Sequence, residues 1–175
     1  MPESAFIVRV PEAEACVGRL RERFDASARL GVPAHITVLA PFMSPELVTT
    51  TVIREAQAAL SQVPSFAFSL ATVARFAATA YLAPEPAQSF IALTEALVRA
   101  FPGFLPFRGE HASVVPHLTV ANGSAVEAEV AAAELAALIQ AHGPINSACN
   151  SVTLLENSSG RWKAMHVLAL RQRAD

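Results

Sequence analysis

The same four-residue pattern occurs twice in this chain, as His35-Ile36-Thr37-Val38 and as His117-Leu118-Thr119-Val120, with Pro33 and Pro116 just upstream of the two histidines. Side chains alternate faces along an extended strand, so each copy puts His and Thr on one side and two apolar residues on the other. The apolar side joins a core; the polar side is left to a cleft or to solvent. A merely solvated face would carry unrelated polar residues, whereas here it carries His and Thr both times. The doubling therefore points to two related halves that bring two imidazoles and two hydroxyls into one small volume.

The spacing of apolar residues around each copy repeats one scheme. In the first half, Phe6 to Val10 reads as a strand, and Glu12 to Phe24 as a helix with Cys16, Leu20 and Phe24 on one face. Gly31-Val32-Pro33 ends that segment, and His35 to Leu39 forms the motif strand. Ser44 is the expected N-cap, with Pro45 in the first turn, of a helix running to about Leu60. Strands over Phe66 to Ala74 and Ala80 to Ala83 follow, then a helix opened by Pro86 with Phe90, Leu93 and Leu97 on its buried face. In the second half, Arg108 to Val115 is a loop, Pro116 to Ala121 the second motif strand, and Asn122-Gly123-Ser124 a turn into an alanine-rich helix reaching about Ala141. Asn146 to Leu155 and Arg161 to Leu170 alternate as a hairpin would, with Asn157-Ser158-Ser159-Gly160 as its turn. Each motif strand is thus followed by a helix and a strand pair, and a pseudo-two-fold arrangement places the motif strands side by side. The expectation is one α+β domain over residues 1–175, made of two pseudo-symmetric halves.

Composition narrows the function. A chain of 175 residues suffices for one domain with a real core. The formal charge is −2, Lys163 is the only lysine, and no basic block stands out, which argues against extended DNA as a partner. A small nucleotide or an RNA end fits better. Cys16 and Cys149 form no CxxC pair, so a reducing compartment is expected and structural zinc is not. Met1-Pro2-Glu3-Ser4 lacks a basic leader, the apolar stretch after it is broken by Arg9, and the most apolar run, Phe66 to Ala83, contains Arg75. These features predict a cytoplasmic monomer with no membrane partner.

The chemistry follows from the residue types. Opening a cyclic phosphodiester with water needs one group to take a proton and another to give one, and two histidines can hold those opposite states near neutrality. Threonine hydroxyls donate to the non-bridging oxygens. Asp25 and Asp175 are the only aspartates, which speaks against a two-metal site, and no metal or other cofactor is expected. Arg75 is a candidate phosphate clamp, Tyr81 a candidate to stack on a base, and Phe42 a candidate floor for a base pocket; a turn charge, a core aromatic and helix packing are their ordinary alternatives. His111 reads as a surface residue or a groove lining, His142 as a helix-end residue, His166 as strand packing or an edge position and Trp162 as cover for a core edge.

The paired motifs resemble the 2H phosphoesterase superfamily, which includes the bacterial 2′-5′ RNA ligase-like proteins and the plant and yeast cyclic phosphodiesterases. The likeness extends through Gly31 to Phe42, Ala74-Arg75-Phe76, Tyr81 to Pro86, Val115 to Ala121 and Gly160-Arg161-Trp162, and so covers essentially the whole chain. It implies a bilobal α+β fold with two antiparallel sheets lining a central cleft and helices outside. It also implies that His35 and His117 are the acid/base pair and that Thr37 and Thr119 hold the phosphate, without a metal. The expected activity is metal-independent hydrolysis of 2′,3′-cyclic phosphates on nucleotides or RNA ends, to 2′-phosphates, with reversible 2′-5′ RNA ligation as a further activity. A non-catalytic module that binds a nucleotide or cyclic phosphate is the alternative.

Overall fold

The computed structural model of the chain describes residues 1–111 and 113–174. Ala112, in the loop expected over 108–115, and Asp175 lie outside them. In chain order the elements are β1 (Ser4–Arg9), α1 (Glu14–Phe24), α2 (Ala26–Arg29), β2 (His35–Leu39), α3 (Thr50–Leu60), β3 (Phe66–Phe76), β4 (Thr79–Glu85), α4 (Gln88–Ala100), β5 (Leu118–Asn122), α5 (Ala125–His142), β6 (Ile145–Cys149), β7 (Ser151–Glu156) and β8 (Lys163–Ala169).

The strands form two four-stranded sheets, ordered β2-β1-β7-β8 and β5-β4-β3-β6. Every pairing is antiparallel. The motif strands β2 and β5 are edge strands of different sheets; they approach each other without pairing. Alternation works as the sequence predicts: Ile36, Val38, Leu118 and Val120 are buried, while His35, Thr37, His117 and Thr119 are half-buried. Helices α3 and α4 cover the first sheet, and α1 and α5 the second. Helix α1 therefore follows a strand of one sheet but lies over the other.

Edge strands leave backbone groups unpaired, and α4 answers for one of them. Buried Thr94 donates its hydroxyl proton to the carbonyl of Val38 at 2.7 Å. A continuous core runs from Phe6 and Leu39 through Phe90 and Leu97 to Leu118, Leu135 and Leu154.

Two sequence expectations need correction. Ser44 makes no side-chain cap; residues Pro45–Leu47 form a separate 3-10 turn, and Thr49 caps α3 by accepting from the Val52 N–H. The strand expected over Asn146 to Leu155 is two strands. Its first part, β6, pairs with β3, and its second, β7, lies between β1 and β8, with Asn150 alone between them. The core-facing positions slip by one residue at the change of partner, from Ile145 and Cys149 to Val152 and Leu154, inside a run that reads as a single strand. The first sheet consequently takes strands from both ends of the chain and the second from the middle, and the sheets do not coincide with the sequence halves.

Candidate active site

Both motif histidines make the same backbone contact. Nδ1 of His35 lies 2.8 Å from the carbonyl oxygen of Pro33, and Nδ1 of His117 lies 2.6 Å from that of Val115. A carbonyl only accepts, so each Nδ1 carries the proton and each Nε2 is left as the position that accepts or delivers one. The two histidines, with Thr37 and Thr119, line one cavity of about 620 Å3. Burial pushes His35 down to about 4, against the opposing pull of the Pro33 carbonyl, with the positive charge of Arg21 acting in the same direction as burial. Burial also lowers His117, the Val115 carbonyl opposes it, and neighbouring His111 adds to the lowering.

Beneath His35 the segment 21–34 is held by buried polar contacts. Arg21, 2% exposed, gives Nε and Nη2 to Oδ2 of Asp25 and Nη1 to the carbonyl of Val32. The other oxygen of Asp25 accepts from the backbone N–H and the hydroxyl of Ser27, at 3.0 and 2.8 Å. Glu14 accepts from the Ala34 N–H at 2.6 Å. The backbone entering β2 is thus fixed from α1, which packs on the opposite sheet, and Asp25 and Ser27 both reach the cavity wall.

Aromatic rings surround His117. Phe76 and Tyr81 stack at 4.7 Å, and each meets the imidazole edge-on, at 5.5 and 5.4 Å. Phe107 lies roughly parallel to the imidazole at 6.3 Å and meets His111 at 5.4 Å. Tyr81 is buried behind His117 and does not line the cavity; Phe76 does. Arg75 adjoins Phe76 in an extended strand and so faces the other side of the sheet, away from the cavity lining. Phe42 sits in the core against Phe6, Phe101 and Phe104, also outside that lining. Of the three substrate-pocket candidates, the structure brings only Tyr81 to a motif histidine.

A second chamber of about 290 Å3 opens beside His35 and shares Ser27, His35, Thr37 and Phe107 with the first. Trp162, Ile7, Val32 and Leu155 supply its apolar wall. The Trp162 N–H donates to the Leu30 carbonyl at 2.8 Å, and its own carbonyl oxygen comes within 2.9 Å of where a Cβ on Gly31 would stand. With φ at +97°, Gly31 is a position only glycine fills easily. The segment 106–110 crosses both chambers as a strap. Phe107 donates its N–H to the Ala40 carbonyl at 2.8 Å, and Arg108 pairs with Glu3 at 3.1 Å. Phe107 and Arg108 both have left-handed backbone, φ 50° and 56°, a conformation that non-glycine residues adopt only when their surroundings require it.

Among the described residues, no three His, Cys, Asp or Glu side chains are grouped to hold a metal ion. Cys149 is buried with its thiol pushed up to about 12. No helix of the described residues is long and apolar enough to cross a membrane. His142 closes α5, His166 is exposed on β8, and His111, for which the sequence offered two readings, lines the larger cavity. Asp25, Ser27, Phe76, Phe107 and Arg108 also line the two chambers, and no local pattern marks them. The signal available was position: Phe76 neighbours Arg75, and Phe107 and Arg108 open the loop that leads to the second motif.

Residues 9–161 match the family model described as the 2′-5′ RNA ligase superfamily. A Bacillus cytotoxicus protein provisionally named a phosphoesterase is 34% identical over 106 residues, a match spanning 59% of this chain and 59% of that protein. A solved Thermus thermophilus protein aligns over 98% of this chain and 100% of its own, with 15% identity and a TM-score of 0.62. E. coli LigT complexed with 3′-AMP aligns over 97% and 99%, with 15% identity and a TM-score of 0.59. The fold is therefore the LigT-like 2H phosphoesterase fold.

Proposed function

Because the chain belongs to the 2′-5′ RNA ligase superfamily, we propose that it is a metal-independent phosphodiesterase that opens 2′,3′-cyclic phosphates of nucleotides or RNA ends. The observation that carries this reading is the duplicated contact at His35 and His117, which holds Nδ1 of both and leaves Nε2 of both without a hydrogen bond among the described residues, on side chains that line one cavity.

His35, held lower by burial, is the histidine that is neutral while its partner is charged. It takes a proton from water as the oxygen attacks phosphorus. His117, as imidazolium, gives its Nε2 proton to the ribose 3′-oxygen as the P–O3′ bond breaks, leaving a 2′-phosphate. Attack in line requires these groups on opposite sides of phosphorus, which two edge strands facing across a cleft supply. Thr37 and Thr119 donate to the non-bridging oxygens. With a 5′-hydroxyl in place of water as the nucleophile, the same sequence forms a P–O5′ bond, breaks P–O3′ and leaves a 2′-5′ linkage, the released 3′-oxygen taking the proton from His117. LigT, which shares the fold, is known in complex with 3′-AMP, and a mononucleotide of that kind suits the cavity here.

The test is turnover of 2′,3′-cyclic nucleotides in EDTA by wild type, His35→Ala and His117→Ala. Each variant should lose about 10²- to 10⁴-fold in kcat, the usual contribution of a general acid or base. Full activity in either variant, or a strict metal requirement, refutes the mechanism; tight binding without turnover favours a binding module.

A further inference from the structure

We propose that the smaller chamber beside His35 is a nucleobase subsite that selects guanine. The inference rests on the phosphodiesterase reading only for placing the phosphate between the histidines. The chamber is continuous with that position through His35 and Thr37. At about 290 Å3 it lies near the lower limit of small-molecule sites, a size for one flat ring system and not for a whole nucleotide.

Its walls suit a base. Trp162 gives an aromatic surface, Val32 and Leu155 pack around it, and Phe107 of the strap lies at the junction with the larger cavity. Stacking alone does not discriminate bases, because every base has a π-face. Discrimination comes from the two charged groups at the rim. One oxygen of Glu3 accepts from Arg108, and the other takes no hydrogen bond among the described residues. A carboxylate beside a guanidinium complements an edge with two adjacent donors and one acceptor. Guanine presents that edge as N1–H, N2–H and O6; adenine and cytosine each present a single donor group next to acceptors, which would face the carboxylate with repulsive lone pairs. The Glu3–Arg108 contact is exposed, so it can part to admit the base with little loss.

Trp162 is the only tryptophan, so its emission reports the subsite directly. Titration with 3′-GMP should quench it, with affinity at least roughly ten-fold above that for 3′-CMP, as one good bidentate base contact provides. Glu3→Gln should abolish that preference while leaving 3′-CMP binding within about two-fold. Turnover of 2′,3′-cyclic GMP and CMP, followed in parallel, should show the same preference in kcat/KM. Equal affinities, or nucleotide binding that leaves Trp162 emission unchanged, overturns the subsite even where turnover is normal. Quenching with guanine preference but no turnover upholds the subsite and refutes the phosphodiesterase reading.

Discussion

Nη2 of Arg21 lies 2.9 Å from Oδ2 of Asp25, in an ion pair whose side chains are 2% and 5% exposed. Removing one member strands a buried charge, so Arg21→Met or Asp25→Asn should each lower stability by about 3–5 kcal/mol in urea denaturation. Replacing both with apolar residues should recover most of that loss. Equal damage from the double variant would mean that the hydrogen bonds to Val32 and Ser27, and not the charge pair, hold the segment.

Burial of the two motif histidines makes the proposed mechanism testable by its pH dependence. The proposed mechanism requires one histidine neutral and the other charged, so kcat/KM should be bell-shaped. His35 takes up a proton only near pH 4, and His117 loses its proton below the usual imidazole value of 6.5. The maximum should therefore fall between those limits. A plateau extending above pH 8 would contradict the assignment.

Thr94 ties the edge strand β2 to α4 through the Val38 carbonyl. Thr94→Val keeps the shape and leaves a buried carbonyl without its partner, which should cost about 1–3 kcal/mol in chemical denaturation. Because Val38 follows Thr37 directly, KM for a cyclic nucleotide should rise as well. A loss of stability with unchanged kinetics would show that the strand keeps its position without this bond.

Glu156 accepts from the Ser158 N–H at 2.7 Å and pairs with Lys163 at 3.1 Å. The Ser158 bonds are the main cause of a carboxyl held down at about 2, and Lys163 adds to it. A lowered folded-state value means that this stabilisation is present above the unfolded carboxyl value of 4.5 and is lost as pH falls toward 2. Glu156→Gln should flatten that part of the stability curve and lower stability at pH 7. Denaturation midpoints of the two proteins from pH 7 to about 2.5, spanning the window in which the carboxyl titrates, provide the check; parallel curves would reject it.

The motif strand His35–Leu39 was legible because a half-buried strand writes its two faces into alternate residues, and the duplication marked Leu118–Asn122 in the same way. The alanine-rich α5 was legible from Ser124 and Gly143 at its ends. Asn150 was not, since the alternation slips there by only one residue, from Ile145 and Cys149 to Val152 and Leu154, within a run that reads as one strand. Phe42 and Arg75 illustrate the same limit at the site. Being next to a motif in sequence does not say on which side of a sheet a residue lies, and Phe76 reaches the cavity where Arg75 does not. Phe107 and Trp162 depend wholly on tertiary placement, one on a strap from the second half and the other at the start of β8.

The single-residue link at Asn150 also bears on how the protein handles its substrate. The chain leaves one sheet and enters the other with no slack, and α1 is seated on the sheet opposite its own strand. Such stitching gives the two sheets no hinge about which to swing apart. The span between His35 and His117, across one shared cavity, is then held at constant width. The strap at 106–110, by contrast, is tied to the first sheet only by the Ala40 carbonyl and an exposed contact with Glu3 among the described residues.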